Sequence, residues 1–452
     1  MYFLKQLLKI FFILLIPSVT SAHNFDSDIL NQENSDLVSE EWNLHAQMTH
    51  VTQWHPTFDT ACNAQKYYCM SGRAQRKQTN DVTLYFGKKL WQGAELYINT
   101  EVDEGFGIGD THGLAGFSSG ESYKLGRPYP YTRTQRFFIR QVIDLGGETQ
   151  RLESSANQLK TSRESDNLIL TVGKFSLVDI FDGNAYAHDP RNDFLNWSIV
   201  DAGAFDYAGD AWGYVYGFAG ELNKNDWSVR GSFVNLSKEP GSVHNDMSFK
   251  QWSTVGELEK RYSYLNLDGK IKVLGFMNHG RMANYQDANQ LADAQSVEPD
   301  VSLVRHESSK VGMAINIEQS LTKNIGAFGR LSMNDGDKET WDFTDINRSI
   351  SAGLSIKGDA WDHELDKIGI AFAINDLSKP AREYFQKGGL GVLIGEGPHS
   401  GYDSERIFES YYSFQLNRWS NLTADFQYIQ NPAYNPNNES VSIFGLRMHL
   451  SI

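Results

Sequence analysis

The sequence predicts an all-β fold, a transmembrane β-barrel of 16 antiparallel strands with an inward-folded constriction loop. Three observations predict it. The first residues read as an export signal. Apolar residues then recur at every second position over stretches of about ten residues, the length a tilted strand needs to cross a bilayer. The links between these stretches alternate between short and long.

The export signal is local. Lys5 and Lys9 form a positive start, Ile10 to Ile16 a short apolar core, and Pro17 and Thr20-Ser21-Ala22 a cleavage region. Residues 1–22 read as a signal peptide, 23–41 as a short acidic N-terminal segment and 42–452 as the barrel. The apolar core is too short for a membrane-spanning helix, which needs about 20 residues, and no later run approaches that length. An exported chain of this kind is expected in the outer membrane of a Gram-negative bacterium, in contact with its lipid. The formal charge of −15 excludes nucleic acid as a natural partner. Cys62 and Cys69 are the only cysteines, and an oxidising compartment favours a disulfide between them. A metal there would have His55 as its one nearby additional ligand, so neither metal nor cofactor is expected.

Strand periodicity is clearest at the end of the chain. Phe444, Leu446, Met448, Leu450 and Ile452 share one parity, with Gly445, Arg447, His449 and Ser451 on the other. Similar alternation places strands at 42–53, 81–90, 93–102, 135–144, 167–175, 211–222, 226–236, 250–261, 269–279, 309–320, 323–334, 348–357, 366–376, 405–417, 420–430 and 440–452. The count is even, as a single-chain bacterial barrel requires. Short links follow even-numbered strands, as at Trp91-Gln92, Leu321-Thr322 and Arg418-Trp419. The long links, 54–80, 103–134, 176–210, 280–308 and 377–404, follow odd-numbered ones. Short periplasmic turns and long extracellular loops produce this order. The link at 145–166 is too long for its place and breaks the alternation. Trp42, Trp91, Trp212, Trp227, Trp252 and Trp419 lie near strand ends, where interfacial girdles form. A sandwich would need implausibly large sheets to use so many strands, and no repeat of the solenoid kind is present.

A barrel of this size leaves an aqueous lumen. The natural element to narrow it is the link 176–210. Its Val178, Ile180, Phe181, Phe194, Leu195, Trp197, Ile199 and Val200 need a surface to pack on. It also carries Asp179, Asp182, Asp189, Arg191, Asp193, Asp201, Asp206 and Asp210. Opposite charge stands on the polar parity of the strands, at Arg136, Arg140, Lys174, Arg230, Arg330 and Arg447. A charge on the lipid side at mid-membrane costs about 2–4 kcal/mol, so these residues are expected to face water. For each of them two roles stay open, bracing the loop and touching solute. Phe175, Phe181 and Trp197 are candidates for the apolar face of a sugar.

Enzyme signatures are missing from the sequence. It has no H-E-x-x-H and no G-x-S-x-G. Gly105-Phe106-Gly107-Ile108-Gly109 lacks the βαβ setting of a dinucleotide site, and the adjacent Asp103 and Glu104 read as solvated loop charge.

Several stretches resemble the carbohydrate-selective porin family, OprB type. They are Leu96–Glu121, Arg136–Glu148, Val172–Asp182, Tyr186–Gly217, Gly280-Arg281-Met282, Glu405–Leu416 and Ser440–His449. The most specific is Tyr186–Gly217 (YAHDPRNDFLNWSIVDAGAFDYAGDAWGYVYG). The resemblance implies a narrow, partly arginine-lined eyelet and passive diffusion of small carbohydrates, monosaccharides such as glucose foremost. Carried onto this chain, it draws the eyelet from Arg140, Lys174, Asp179 and Asp182. Arg136 and Arg191 are further pore-lining candidates, and Glu101, Asp103 and Glu104 face the same passage. Homotrimers are common among porins. The family departs here in one respect, since such barrels usually end on an aromatic residue and this sequence ends on Ile452. A general or anion-selective porin, and a surface adhesin or receptor, are the alternative readings.

Overall fold

A computed structural model describes residues 39–60, 62–122, 126–343 and 345–452. The expected signal peptide, and most of the acidic segment after it, lie outside the described residues. Among the described residues, 16 antiparallel strands form one closed barrel in which every strand pairs with its sequence neighbours. They are β1 (Trp42–His55), β2 (Gln75–Trp91), β3 (Ala94–Gly105), β4 (Arg127–Leu152), β5 (Thr161–Phe175), β6 (Val215–Lys224), β7 (Trp227–Asn235) and β8 (Trp252–Tyr264). The second half comprises β9 (Leu267–Met282), β10 (His306–Ser320), β11 (Ile325–Asn334), β12 (Arg348–Lys357), β13 (Lys367–Asp376), β14 (Glu405–Asn417), β15 (Ser420–Gln430) and β16 (Val441–Ser451). Closure comes from β1 against β16, in a register running from Gln47 opposite Ser451 to Trp54 opposite Phe444. A closed ladder leaves no strand edge unpaired, which a bilayer demands. No helix among the described residues is long and apolar enough to cross a membrane.

Alternation decides which face meets lipid. Phe137, Ile139, Leu170, Val172, Phe218, Phe372, Phe414 and Leu446 are exposed on the outer parity. Glu409, Gln427, Arg330 and Arg447 are buried on the inner parity. Trp42, Trp91, Trp227 and Trp419 are exposed together at the short-turn end, where an interfacial belt belongs. Trp212 and Tyr214 differ from expectation. They precede β6 instead of beginning it, and both line the lumen, so Trp212 is no part of a girdle.

The oversized link after β4 also finds its explanation. β4 and β5 run on well past the barrel wall, to Leu152 and from Thr161, leaving only residues 153–160 as the turn. Register shifts interrupt this hairpin at Gly146 and again before Thr149. Gly146 and Gly147 both have positive φ, at 112° and 91°, a region side chains disfavour. Bulges bend a strand and re-aim the residues beyond them.

Candidate functional site

The segment between β5 and β6 lies against the inner wall. Phe181, Phe194, Leu195, Ile199 and Val200 are fully buried, and Phe194 packs on Phe328 and Tyr411 of the wall. Buried polar groups from many strands hold the segment. Arg330 donates to the carbonyls of Ala187 and Ile199 at 2.7 and 2.8 Å, and its Nε lies 3.2 Å from Asp182 Oδ1. Arg447 donates to the carbonyls of Pro190 and Asp193. Glu409 accepts from the N–H groups of Leu195 and Asn196, Glu257 from that of Asp182, and Lys310 pairs with Asp206. These braces come from β8 to β16, so the open passage is left on the opposite side, along β1 to β4.

There a cavity of about 430 Å³ opens between the wall and the loop. The wall supplies Gln47, Tyr85, Glu101, Arg133, Gln135 and Arg136. The loop supplies Asp179, His188, Asp189, Arg191, Trp197 and Asp201. Arg136 grips Asp179 with two parallel bonds, Nε to Oδ2 at 2.7 Å and Nη2 to Oδ1 at 2.6 Å. Arg191 stands 3.5 Å from each of Asp81, Glu101 and Glu121. Arg133 bridges Glu101 at 2.7 Å and Asp103 at 2.5 Å. Every arginine of the cavity is therefore neutralised by carboxylates. Burial works against ionisation of Asp189, yet the Arg191 charge, the Arg191 N–H and Asn192 hold its carboxyl below the ordinary range.

The sequence candidates divide. Arg136, Asp179, Arg191 and Glu101 line the cavity. Asp103 stands behind it, fully buried against Arg133. Arg140 sits further toward the periplasmic end, beside a second cavity of about 680 Å³ that shares Asp179 with the first. Lys174 lies 3.6 Å from Asp210, outside the set of lining residues. Two placements correct the expectation. Asp182 does not reach the passage, because Arg330, Asn316 and the Ala202 N–H enclose its carboxylate. Glu104 stands on the outward parity of β3, since its neighbours Asp103 and Gly105 share the inward one with Glu101.

The aromatic candidates are corrected too. Phe175 and Phe181 are buried. Trp197 lines the cavity but is sandwiched between Phe117 at 5.0 Å and Phe343 at 5.3 Å, both nearly parallel to it. Both of its faces are covered, so it offers the lumen a ring edge. Tyr85, Trp212 and Tyr214 also line this cavity, with Arg133 over the Trp212 and Tyr214 rings and Arg136 over that of Tyr214.

Arg133 escaped the sequence reading because a bulge hides it. Opposite Asn99 and Thr100, β4 presents Arg136 and then Thr134, with Gln135 the extra residue. Parity flips there, so Arg133 and Arg136 both face inward although they are three positions apart. Glu121 and Asp189 also line the site. Asp189 was already among the charged residues of the link 176–210, whereas the only advance sign of Glu121 was its place at the end of the stretch Leu96–Glu121 that carries the family resemblance.

Barrel, inward loop and charged eyelet define a transmembrane β-barrel with a narrowed lumen. The model of the carbohydrate-selective porin, OprB family, matches residues 71–452, and the chain belongs to that family. The solved structure of Pseudomonas putida OprB at high pH superposes with a TM-score of 0.66 at 13% identity, covering 91% of this chain and 94% of that one. Acinetobacter baumannii OccAB1 superposes at 0.50 with 11% identity, covering 91% of this chain and 97% of its own. Among curated proteins, Porin AaxA of Chlamydia pneumoniae is 22% identical over 66% of this chain and 59% of its own length. Porin AaxA of Chlamydia muridarum is 22% identical over 70% of this chain and 61% of its own length. The chain thus spans about three fifths of these relatives.

Proposed function

We propose that the pore passes small neutral carbohydrates, monosaccharides before larger sugars, by passive diffusion. The observation that carries this reading is the make-up of the eyelet, where carboxylates and guanidinium groups alternate within hydrogen-bonding range of one another. Such a lining offers acceptors and donors to a ring of hydroxyls with little geometric demand. It also lets solute bind loosely enough to leave, which conduction requires. The family's description as carbohydrate-selective supports the same reading.

In this reading Arg136, Asp179, Arg191 and Glu101 touch the solute, supported by their place in the cavity lining beside Arg133, Glu121 and Asp189. Pairing of each of these eyelet arginines with carboxylates supports the sugar reading over the anion-selective alternative. Liposome swelling with the refolded protein tests the proposal, using a monosaccharide, a disaccharide and a zwitterionic amino acid of monosaccharide size. Faster entry of the monosaccharide than of the amino acid is expected. Rates ordered by size alone would replace the proposal with a general porin.

A further inference from the structure

We propose that the end of the β4–β5 hairpin is a second constriction element, entering the pore from the periplasmic side. Ala156 and Asn157 at its tip then set the width of the passage together with the Arg136–Asp179 pair.

The connection follows an even-numbered strand, so it belongs to the short-turn, periplasmic end. A turn there would normally sit in solvent. This one is tied to the inner wall on several sides. Asn43 of β1 donates to Ser154 Oγ at 3.0 Å and to the Gln158 carbonyl at 2.8 Å. His45 Nε2 lies 3.0 Å from Ser154 Oγ. Asn99 of β3 and Asn157 exchange amide hydrogen bonds at 2.7 and 3.1 Å. The Leu159 N–H donates to the Tyr97 hydroxyl at 3.1 Å, and Leu159 itself is buried. Asn43, His45, Tyr97 and Asn99 all stand on the inward parity of their strands, opposite the exposed Trp42 and Leu44 of β1. The tip is therefore inside the barrel.

Arg140 closes the arrangement. One terminal nitrogen is 2.8 Å from the Asn157 carbonyl, 2.9 Å from the Tyr97 hydroxyl and 3.0 Å from Glu95. Its guanidinium also lies over the Tyr97 ring, 4.7 Å from the centroid. Arg140 is a positioning residue that clamps the tip, and its charge is spent on that task. The bend that turns the hairpin inward is at Gly146-Gly147. A Cβ on Gly147 would collide with Ser165 Oγ.

Position in the passage gives the tip its role. Ala156 and Asn157 border the outer cavity, and the next residue, Gln158, borders the periplasmic one. Asp179 borders both from the loop side. The two cavities therefore meet where the hairpin tip faces the Arg136–Asp179 pair. A solute crossing from one to the other passes between an element anchored from outside and one anchored from the periplasmic side.

Ala156 is exposed and small, so it can be changed without disturbing the anchors. The native chain has only Cys62 and Cys69, which are bonded to each other, so Ala156→Cys supplies a single free thiol. The experiment records single-channel current of the full-length Ala156→Cys protein in planar bilayers. A cationic and an anionic methanethiosulfonate are then added in separate runs, and labelling is confirmed by mass spectrometry. The expected result is a stepwise loss of current with either reagent and a selectivity shift of opposite sign for the two. Ion current reads the tip whether or not sugars are the natural solute, so failure here is distinct from failure of the sugar proposal. Labelled protein with unchanged current, or a thiol that cannot be labelled in folded channels, would overturn the proposal. Ala156→Trp is the second variant. It should lower monosaccharide swelling while leaving heat-modifiable mobility on gels intact, and unchanged swelling in folded protein would also count against the tip.

Discussion

Two elements meet in this lumen, and they are held in different ways. The segment between β5 and β6 is embedded among fully buried side chains, with Arg330, Arg447, Lys310 and Glu409 each satisfying groups of the loop from the wall. The β4–β5 tip is short, partly exposed and held mainly by neutral amides, a phenol and Arg140. Charged groups removed from water cost several kcal/mol each unless paired and hydrogen-bonded, so the loop's braces are all-or-none. Neutral hydrogen bonds contribute about 0.5–1.5 kcal/mol net, so the tip's anchors can be loosened one at a time. The loop is a fixed frame for the eyelet, and the tip is its adjustable side.

The largest effect should come from the loop. Arg330→Met leaves Asp182 buried without its cation, and breaking such a pair typically costs about 3–5 kcal/mol. Lower thermal stability and larger, noisier single-channel currents are expected. A variant with native stability and native current would remove the distinction between frame and adjustable side. Next comes the eyelet itself. Arg136→Gln frees Asp179 from its two-bond clamp and should admit disaccharide faster in swelling assays, with the monosaccharide preference reduced. Arg140→Met should have a similar but smaller effect on the size limit, because the amides of Asn43 and Asn99 still hold the tip. If Arg140→Met opened the pore more than Arg136→Gln, the hairpin would be the dominant constriction.

Ion selectivity sharpens the contrast further. The outer cavity carries Glu101, Glu121, Asp179, Asp189 and Asp201 against Arg133, Arg136 and Arg191. The periplasmic one carries Arg140, Arg163, Arg230, Arg261, Lys270 and Lys272 against Asp179, Glu221, Glu259 and Glu318. Reversal potentials in a potassium chloride gradient should show modest cation preference, set by the outer cavity, and Glu101→Gln should weaken it.

The smallest effect concerns the outer loops. Glu396 accepts amide hydrogen bonds from Asn435 and Asn438, and burial pushes its carboxyl up to about 7. A raised carboxyl takes up a proton on folding. The loop contact is accordingly favoured below its unfolded range, loses stability as pH rises toward 7, and gains nothing beyond it. Protease resistance of these loops should be greater at pH 5.5 than at pH 8, and Glu396→Gln should flatten the difference.

Much of the barrel was legible because strand periodicity is a local property. The parity of Phe444 to Ile452 and of Phe408 to Leu416 is visible residue by residue, and all 16 strands overlap the stretches where that pattern puts them. The disulfide was legible for a chemical reason, two cysteines in an oxidising compartment, and Cys62 and Cys69 are bonded. The inward loop could be anticipated from apolar side chains that would otherwise face water. The site was read less well. Asp182 and Arg140 carry the right charge for an eyelet, yet each is engaged by partners far away along the chain, Arg330 for the one and Glu95 and Tyr97 for the other.

The sequence by itself determined the barrel, its strand number and, along the regular stretches of strand, which face meets water, because lipid and water sort side chains at every second position. Tertiary structure alone decided which charges remain available in the passage. A bulge at Gln135 turned Arg133 inward, a bend at Gly146-Gly147 carried the hairpin tip inside, and the braces from β8 to β16 pressed the loop to one side. These outcomes depend on contacts between residues far apart in the chain, which no local pattern records.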